Sequence, residues 1–244
     1  MTSYNLGYKH LRHKKETKDQ ESQRRSTASG DTEAVIPAQT TVVTVAERVS
    51  DIYDLLSNPS SANSHLLIRA SHNRAVQTLE CSAPDDQRLL EAIHNCPAIG
   101  QLTIQVHPPA EQEAREATLT VRSTSRVIQP PKGHLNYQQL FPITIQVRQA
   151  TEHHPPSGIK PVSWLLLTTL PITGFTSAVQ CLRRYSDRWL IERYHYVLKS
   201  GCHLEQLQLK TADRIERALA TYTIVAIALV MAHLSSSSQS KCDR

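Results

Sequence analysis

Tyr185-Ser-Asp-Arg188-Trp-Leu-Ile-Glu192-Arg-Tyr-His-Tyr-Val-Leu-Lys199 is the stretch from which the rest of the chain is read. It holds no Gly or Pro, and its apolar residues recur at helical spacing, so it predicts one long helix from Ser177 to about Lys199. At about 100° per residue, Tyr185, Arg188, Glu192 and Lys199 fall at roughly 0°, −60°, −20° and −40°, a single narrow stripe. Val179, Leu190, Tyr194 and Val197 fall on the other side, where a helix buries its apolar face.

A carboxylate sharing a stripe with a guanidinium, an ammonium and a phenol has the parts for phosphate chemistry. It offers a hard oxygen ligand for Mg²⁺ and donors for phosphate oxygens. An exposed face of ion pairs at i,i+4 spacing gives the same pattern, and both readings stand at this point.

Downstream, Asp213 to about Leu234 predicts a second helix. Ala218 to Leu234 lacks Lys, Arg, Asp and Glu and sits at the lower edge of a membrane span. Its Thr, Tyr and His content, with charges just before it, favours a buried helix instead. Upstream, Thr40 to Ala46 is β-branched and reads as a buried strand ending at Glu47, followed by a short helix over Asp51–Ser57 that Ser50 can cap. His65 to Ala70 reads as a second strand. A helix at Asp86–His94 then interrupts a strand series over Leu102–Val106, Ala117–Val121, Ile143–Val147 and Val162–Leu167. Pro pairs at 108–109, 130–131 and 155–156 favour turns between antiparallel strands, so 75–168 reads as a β-rich insertion.

The chain has 244 residues, enough for one large domain or two small ones, and its 39% hydrophobic and 20% charged content is below average for soluble domains. Net charge is +5, and residues 1–30 supply most of it, with seven basic against three acidic side chains. Residues 1–38 are polar and without apolar periodicity, a basic segment expected to be disordered, and 235–244 is expected to fray. A basic tail suits contact with a polyanion and equally a solvated arm. Five cysteines without a C-x-x-C pair or a preceding secretory signal suit free thiols in a reducing cytoplasm and argue against a zinc ribbon. His153-His154 before Pro155 reads as a loop pair rather than a metal site. Cys202-His203, after a helix stop expected at Gly201, lacks a third group for nucleophilic catalysis.

Tyr185-x2-Arg188-x3-Glu192-x6-Lys199, with Trp189 to Cys202 and Glu205-Gln-Leu-Gln-Leu209 around it, resembles the signature of DDE transposases of the insertion sequence four family. The resemblance runs from about residue 40 to 234. It implies an α/β, ribonuclease-H-like transposase catalytic core with a β-rich insertion, spanning 39–234. It also implies carboxylates that hold Mg²⁺ or Mn²⁺, which activate a water or a 3′-hydroxyl for attack on a DNA phosphodiester. Glu192 matches the third metal-binding carboxylate, and Tyr185, Arg188 and Lys199 match residues that grip transposon-end phosphates. Trp164, in Ser163-Trp-Leu-Leu-Leu-Thr-Thr169, matches a tryptophan that stacks on a flipped base; a core tryptophan is the alternative.

Glu47-Arg48-Val49-Ser50-Asp51-Ile52-Tyr53 matches the family's D-R-E-x-D-I-Y-like run, so Glu47 stands at the second metal-binding position, where the family has Asp. Its added methylene moves the carboxylate by on the order of 1 Å, enough to reduce a rate that depends on metal placement. Arg69, in Leu67-Ile-Arg-Ala-Ser-His-Asn-Arg74, matches a DNA-contacting arginine. No strand ending in the first carboxylate is legible before Glu47, and Asp19 and Asp31 sit in polar sequence, so the core reads as incomplete and N-terminally truncated.

Three functions follow as expectations. The first is a metal-dependent transposase using Glu192 and Glu47, with DNA as partner and impaired by its missing ligand. The second is a non-catalytic DNA-binding or inhibitory partner fragment, acting as a homodimer or a mixed dimer with an intact transposase, without a membrane. The third is a chain with no selected role that folds poorly.

Overall fold

The computed structural model describes residues 27, 30–31, 34–37, 39–57, 63–78, 87–106, 114–134, 136–203 and 206–239. Most of the segment expected to be disordered, with Asp19 and residues 240–244, lies outside them. Within that segment, Thr27, Gly30, Asp31, Ala34 and Val35 are helical and exposed. The chain divides into two compact units, Met1–Tyr185 and Ser186–Arg244.

In the first unit eight strands form one mixed sheet: β1 (Val42–Ala46), β2 (Ser64–Arg69), β3 (Ala75–Gln77), β4 (Gln87–Arg88), β5 (Ala98–Val106), β6 (Arg115–Ile128), β7 (Ile143–Glu152) and β8 (Ser163–Thr168). Their order is β1-β2-β8-β7-β6-β3-β4, and β5 also pairs with β6. β1 and β2 run parallel, while every other pairing is antiparallel. The strands of the 75–168 stretch lie in the same sheet as β1 and β2, because β8 pairs along β2. The runs Leu66-Leu-Ile68 and Leu165-Leu-Leu167 explain this join: a strand covered on both faces needs apolar residues at successive positions. Pro130-Pro131 and Pro155-Pro156 lie in the β6–β7 and β7–β8 connections, as expected of antiparallel turns, and Pro108-Pro109 lies outside the described residues.

Two apolar layers sandwich the sheet. Leu66, Ile68, Val147 and Leu167 pack with Tyr53 and Leu56 of α1 (Tyr53–Ser57) and with Leu89, Ala92 and Ile93 of α2 (Leu89–His94). Leu67, Leu119, Val121, Ala150 and Leu166 point the opposite way, onto Ala178, Cys181, Leu182 and Tyr185 of α3 (Phe175–Ser186). The start of α3 explains one glycine: at the β5 irregularity Gly100 has φ +157°, and a Cβ there would run into the Phe175 ring. Ser50 does not cap a helix from Asp51. It closes a 3-10 turn over Arg48–Ser50, and α1 starts at Tyr53.

The second unit holds α4 (Trp189–Tyr196), a π turn (Val197–Gly201) and α5 (Ala212–Gln239). The single helix expected to reach Lys199 is thus interrupted. α3 stops at Ser186, and Asp187 and Arg188 form a tightened turn, with Leu190 N–H donating to Asp187 O at 3.0 Å and Ile191 N–H to Arg188 O at 3.1 Å. Ser186-Asp187 is a local weak point, since both side chains compete with the backbone for hydrogen bonds. At the far end Cys202 N–H reaches back to Val197 O, and the left-handed residue is His203 (φ +50°) rather than Gly201.

Tyr194 Oη and Thr223 Oγ1 are 3.0 Å apart, joining α4 to α5. α5 shields a narrow stripe of Ala218, Tyr222, Thr223, Ala226 and Val230. Ile224 is 70% and Met231 57% exposed, so the expected buried helix is exposed over most of its girth. Its apolar residues surround the axis and leave no polar face to turn outward. By length and composition Ala212–Ala232 could cross a membrane, which is weak evidence for one such helix. The helix also continues past the expected end at Leu234 to Gln239.

Candidate active site

Parallel pairing sets Ala46 beside Ile68, so the next residues, Glu47 and Arg69, leave the carboxyl ends of β1 and β2 together. Arg69 Nη1 lies 4.0 Å from Glu47 Oε2, and its Nη2 donates to Ser163 O at 3.1 Å. The Tyr185 hydroxyl donates to Glu47 Oε1 at 2.6 Å. Tyr185 is 3% exposed, on the face of α3 that carries Ala178, Cys181 and Leu182. It therefore sits among the apolar residues, not on the polar stripe expected for it. An aromatic body favours burial provided its hydroxyl finds an acceptor, and Glu47 supplies one. Half-buried Trp164 meets Tyr185 edge to face, with centroids 5.1 Å apart and planes at 73°.

In the second unit Arg188 Nη2 donates to Glu192 Oε1 at 2.7 Å. Glu192 lies in the first turn of α4, and Lys199 is exposed in the π turn beside buried Leu198. The structure thus brings Glu47, Arg69, Tyr185 and Trp164 together in one unit and Arg188 with Glu192 in the other.

Sequence reasoning missed a heavily bonded carboxylate, Asp51. Its side chain is fully buried and accepts from Ser71 N–H (2.7 Å), Ser71 Oγ (3.2 Å), His72 N–H (3.0 Å) and Arg74 Nη2 (2.5 Å). Burial pushes the Asp51 carboxyl up, but the Arg74 guanidinium and the Ser71 and His72 donors outweigh it and hold it below the ordinary value. The signal was an Asp in one strand-end run and Ser-His-x-Arg in the next. Ser71, His72 and Asp51 do not make a nucleophilic triad, because both contacts of His72 fall on Nδ1.

A carboxylate has about four acceptor positions, so exposed Glu192 keeps capacity for a hard cation beside Arg188, while Glu47 accepts from Tyr185 on Oε1. A hydroxyl donating to a ligating carboxylate is a common outer-shell arrangement. Both residues carry oxygens of the hard type that Mg²⁺ and Mn²⁺ take, whereas Asp51 is spent on its donors. No group of three His, Cys, Asp or Glu residues suited to a metal gathers among the described residues, His153-His154 and Cys202-His203 included. The family model of the transposase DDE domain matches residues 8–229, which takes in most of the basic N-terminal segment.

Proposed function

Because the chain belongs to the transposase DDE domain family, we propose that it acts in DNA transposition as a cytoplasmic protein of the insertion sequence four type, and that its own catalysis is impaired. The match over residues 8–229 carries the family. Glu47, at the carboxyl end of the parallel pair β1–β2, supports a ribonuclease-H-like core, since open α/β sheets bind ligands at such ends.

Glu47 and Glu192 are the residues that would hold Mg²⁺ or Mn²⁺. The ion, when bound, supplies an activated water or 3′-hydroxyl and a clamp on the phosphodiester oxygens. Arg188 and Lys199 offer cations to phosphate oxygens, and Trp164 offers a ring surface to an unstacked base. Arg188 donates to Glu192, which orients the guanidinium until phosphate competes for it. One observation supports impairment: Glu47 carries one methylene more than the Asp of the family it resembles.

The longer side chain of Glu47 also favours a second reading, a non-catalytic DNA-binding or inhibitory partner of an intact transposase, as a homodimer or mixed dimer. One assay separates the two: nicking of a duplex with Mg²⁺ or Mn²⁺, run beside a salt-dependent binding titration. Cleavage that Glu192→Ala abolishes supports the enzyme. Salt-sensitive binding without cleavage supports the partner, and neither binding nor cleavage overturns both.

A further inference from the structure

We propose that Asp51 is a positioning residue for Arg69: it holds the chain that leaves β2 and so fixes the direction in which the guanidinium meets a DNA phosphate. This rests on the reading of the chain as a DNA-binding protein of transposition, with Arg69 at the DNA. The parallel ladder between β1 and β2 ends at the pair Ala46 and Ile68. Beyond it the chain from β1 enters the 3-10 turn over Arg48–Ser50, so the ladder no longer holds the residues after Ile68 on that side. On the other side β8 still holds them, since Arg69 pairs with Leu166 and Ala70 N–H donates to Leu165 O at 2.7 Å.

The Asp51 carboxylate, at the end of the 3-10 turn, takes over where β1 has left. Its Oδ2 accepts from Ser71 N–H at 2.7 Å and from His72 N–H at 3.0 Å. Arg74 fixes the acceptor in turn, donating to Asp51 O at 2.6 Å and to Oδ1 at 2.5 Å. Ser71 and His72 are exposed residues, where water could satisfy a backbone donor. A fully buried carboxylate instead restrains the turn to one conformation, two residues after Arg69. The Arg69 head is held as well, by Ser163 O at 3.1 Å and by the Glu47 carboxylate at 4.0 Å. With the head tethered and 24% of the side chain exposed, the outward direction of the guanidinium depends on where its own backbone stands. A guanidinium–phosphate pair is directional, so slack at Ser71 and His72 is paid in that contact.

The test is a double-mutant cycle in DNA binding by the full chain, with a linear duplex of mixed sequence as probe and Asp51→Glu, Arg69→Ala and the pair as variants. Asp51→Glu keeps the charge that faces Arg74 and displaces the acceptor by one methylene. It is expected to weaken binding about fivefold or more with Arg69 present and less than about twofold in the Arg69→Ala background. An equal loss in both backgrounds, or none in either, overturns the proposal. The salt dependence is a readout that a merely structural Asp51 would not move. Each single variant and the pair should all lower the slope of log K against log salt by about 0.9, the loss of one phosphate contact and not two. Should Asp51→Glu not fold, Ser71→Ala replaces it, deleting a hydroxyl that donates to Asp51 Oδ2 at 3.2 Å. Its loss of about twofold should again appear only with Arg69 present, and the same loss without Arg69, or none with it, overturns the proposal. If the wild-type chain binds no duplex, the transposition reading falls, and the same cycle in urea unfolding still decides whether Asp51 positions Arg69. Coupling of about fivefold or more in the unfolding equilibrium supports it, and additive effects overturn it.

Discussion

Arg188 and Glu192 are joined across one turn of α4 by a 2.7 Å hydrogen bond, with 23% of the arginine and 63% of the glutamate side chain exposed. An i,i+4 pair this open contributes about 0.3–0.5 kcal/mol to the helix, so stability is a poor reason to keep it. Glu192→Ala is expected to shift the unfolding midpoint hardly at all and to abolish any Mg²⁺- or Mn²⁺-dependent nicking. A large loss of stability, or nicking that survives, would show that Glu192 serves only the helix.

Arg188 and Lys199 should act as phosphate contacts, which carry a characteristic salt dependence. Removing either with Ala is expected to weaken duplex binding and to reduce the slope of log K against log salt by about 0.9. Fluorescence anisotropy at several salt concentrations measures this. A slope unchanged in both variants would place the DNA elsewhere on the protein.

Asp51 should matter to folding more than any other carboxylate described. Asp51→Asn leaves Arg74, 14% exposed in its side chain, without its anion and is expected to cost about 3–5 kcal/mol. The pH dependence has a fixed sign. Burial alone would raise the Asp51 carboxyl, yet Arg74, Ser71 and His72 leave it below its unfolded value. Its contribution is complete above about pH 4 and is lost as pH falls through the folded value. Glu152, lowered by its hydrogen bonds from Arg115, adds to the same acid-side loss. Urea midpoints between pH 3 and 6 should converge for wild type and Asp51→Asn at the acid end.

Arg148 of β7 is fully buried, with no carboxylate partner among the described residues. It donates to Val147 O at 2.6 Å, Thr124 O at 3.2 Å and Gln146 Oε1 at 3.1 Å, while its Nε has no partner. Burial pushes its guanidinium down to about 10. Such a cation costs desolvation that no anion offsets, so Arg148→Met is expected to stabilise the first unit by about 1 kcal/mol. Calorimetry reads the rise in melting temperature, and a fall would mean that the carbonyl bonds outweigh the desolvation.

Much of this was legible in the sequence. The strands at Val42, Ser64 and Ser163 stand within a residue or two of where β-branched and apolar runs put them, while the strand at Ile143 starts where expected and runs five residues further, to Glu152. Ala75–Gln77 was not legible, being too short for any periodicity, and exists because Val76 finds Ile128 across the sheet. The stripe of Tyr185, Arg188, Glu192 and Lys199 assumes one straight helix, and helical spacing alone does not show that α3 ends at Ser186 in a turn over Asp187 and Arg188. Glu47 could be placed from its run alone. Its bond from Tyr185 could not, because Tyr185 is 138 residues away and only the fold supplies that proximity. Asp51 went unread for a related reason: its donors come from a loop 20 to 23 residues on, where no motif marks them.

β2 has a further consequence, for the order in which the chain is made. Its outer neighbour β1 precedes it, but its antiparallel partner is β8: Leu66 N–H donates to Thr169 Oγ1 at a separation of 103 residues, and Thr168 Oγ1 donates to Leu66 O. At about 5–20 residues per second, a ribosome needs on the order of 5–20 s to deliver β8 after β2 has emerged. For that interval Leu66, Leu67 and Ile68 are joined to nothing on one side. The sheet therefore closes from its middle and closes late, so chaperone supply during synthesis should govern the yield of folded chain more than the stability of the finished sheet does.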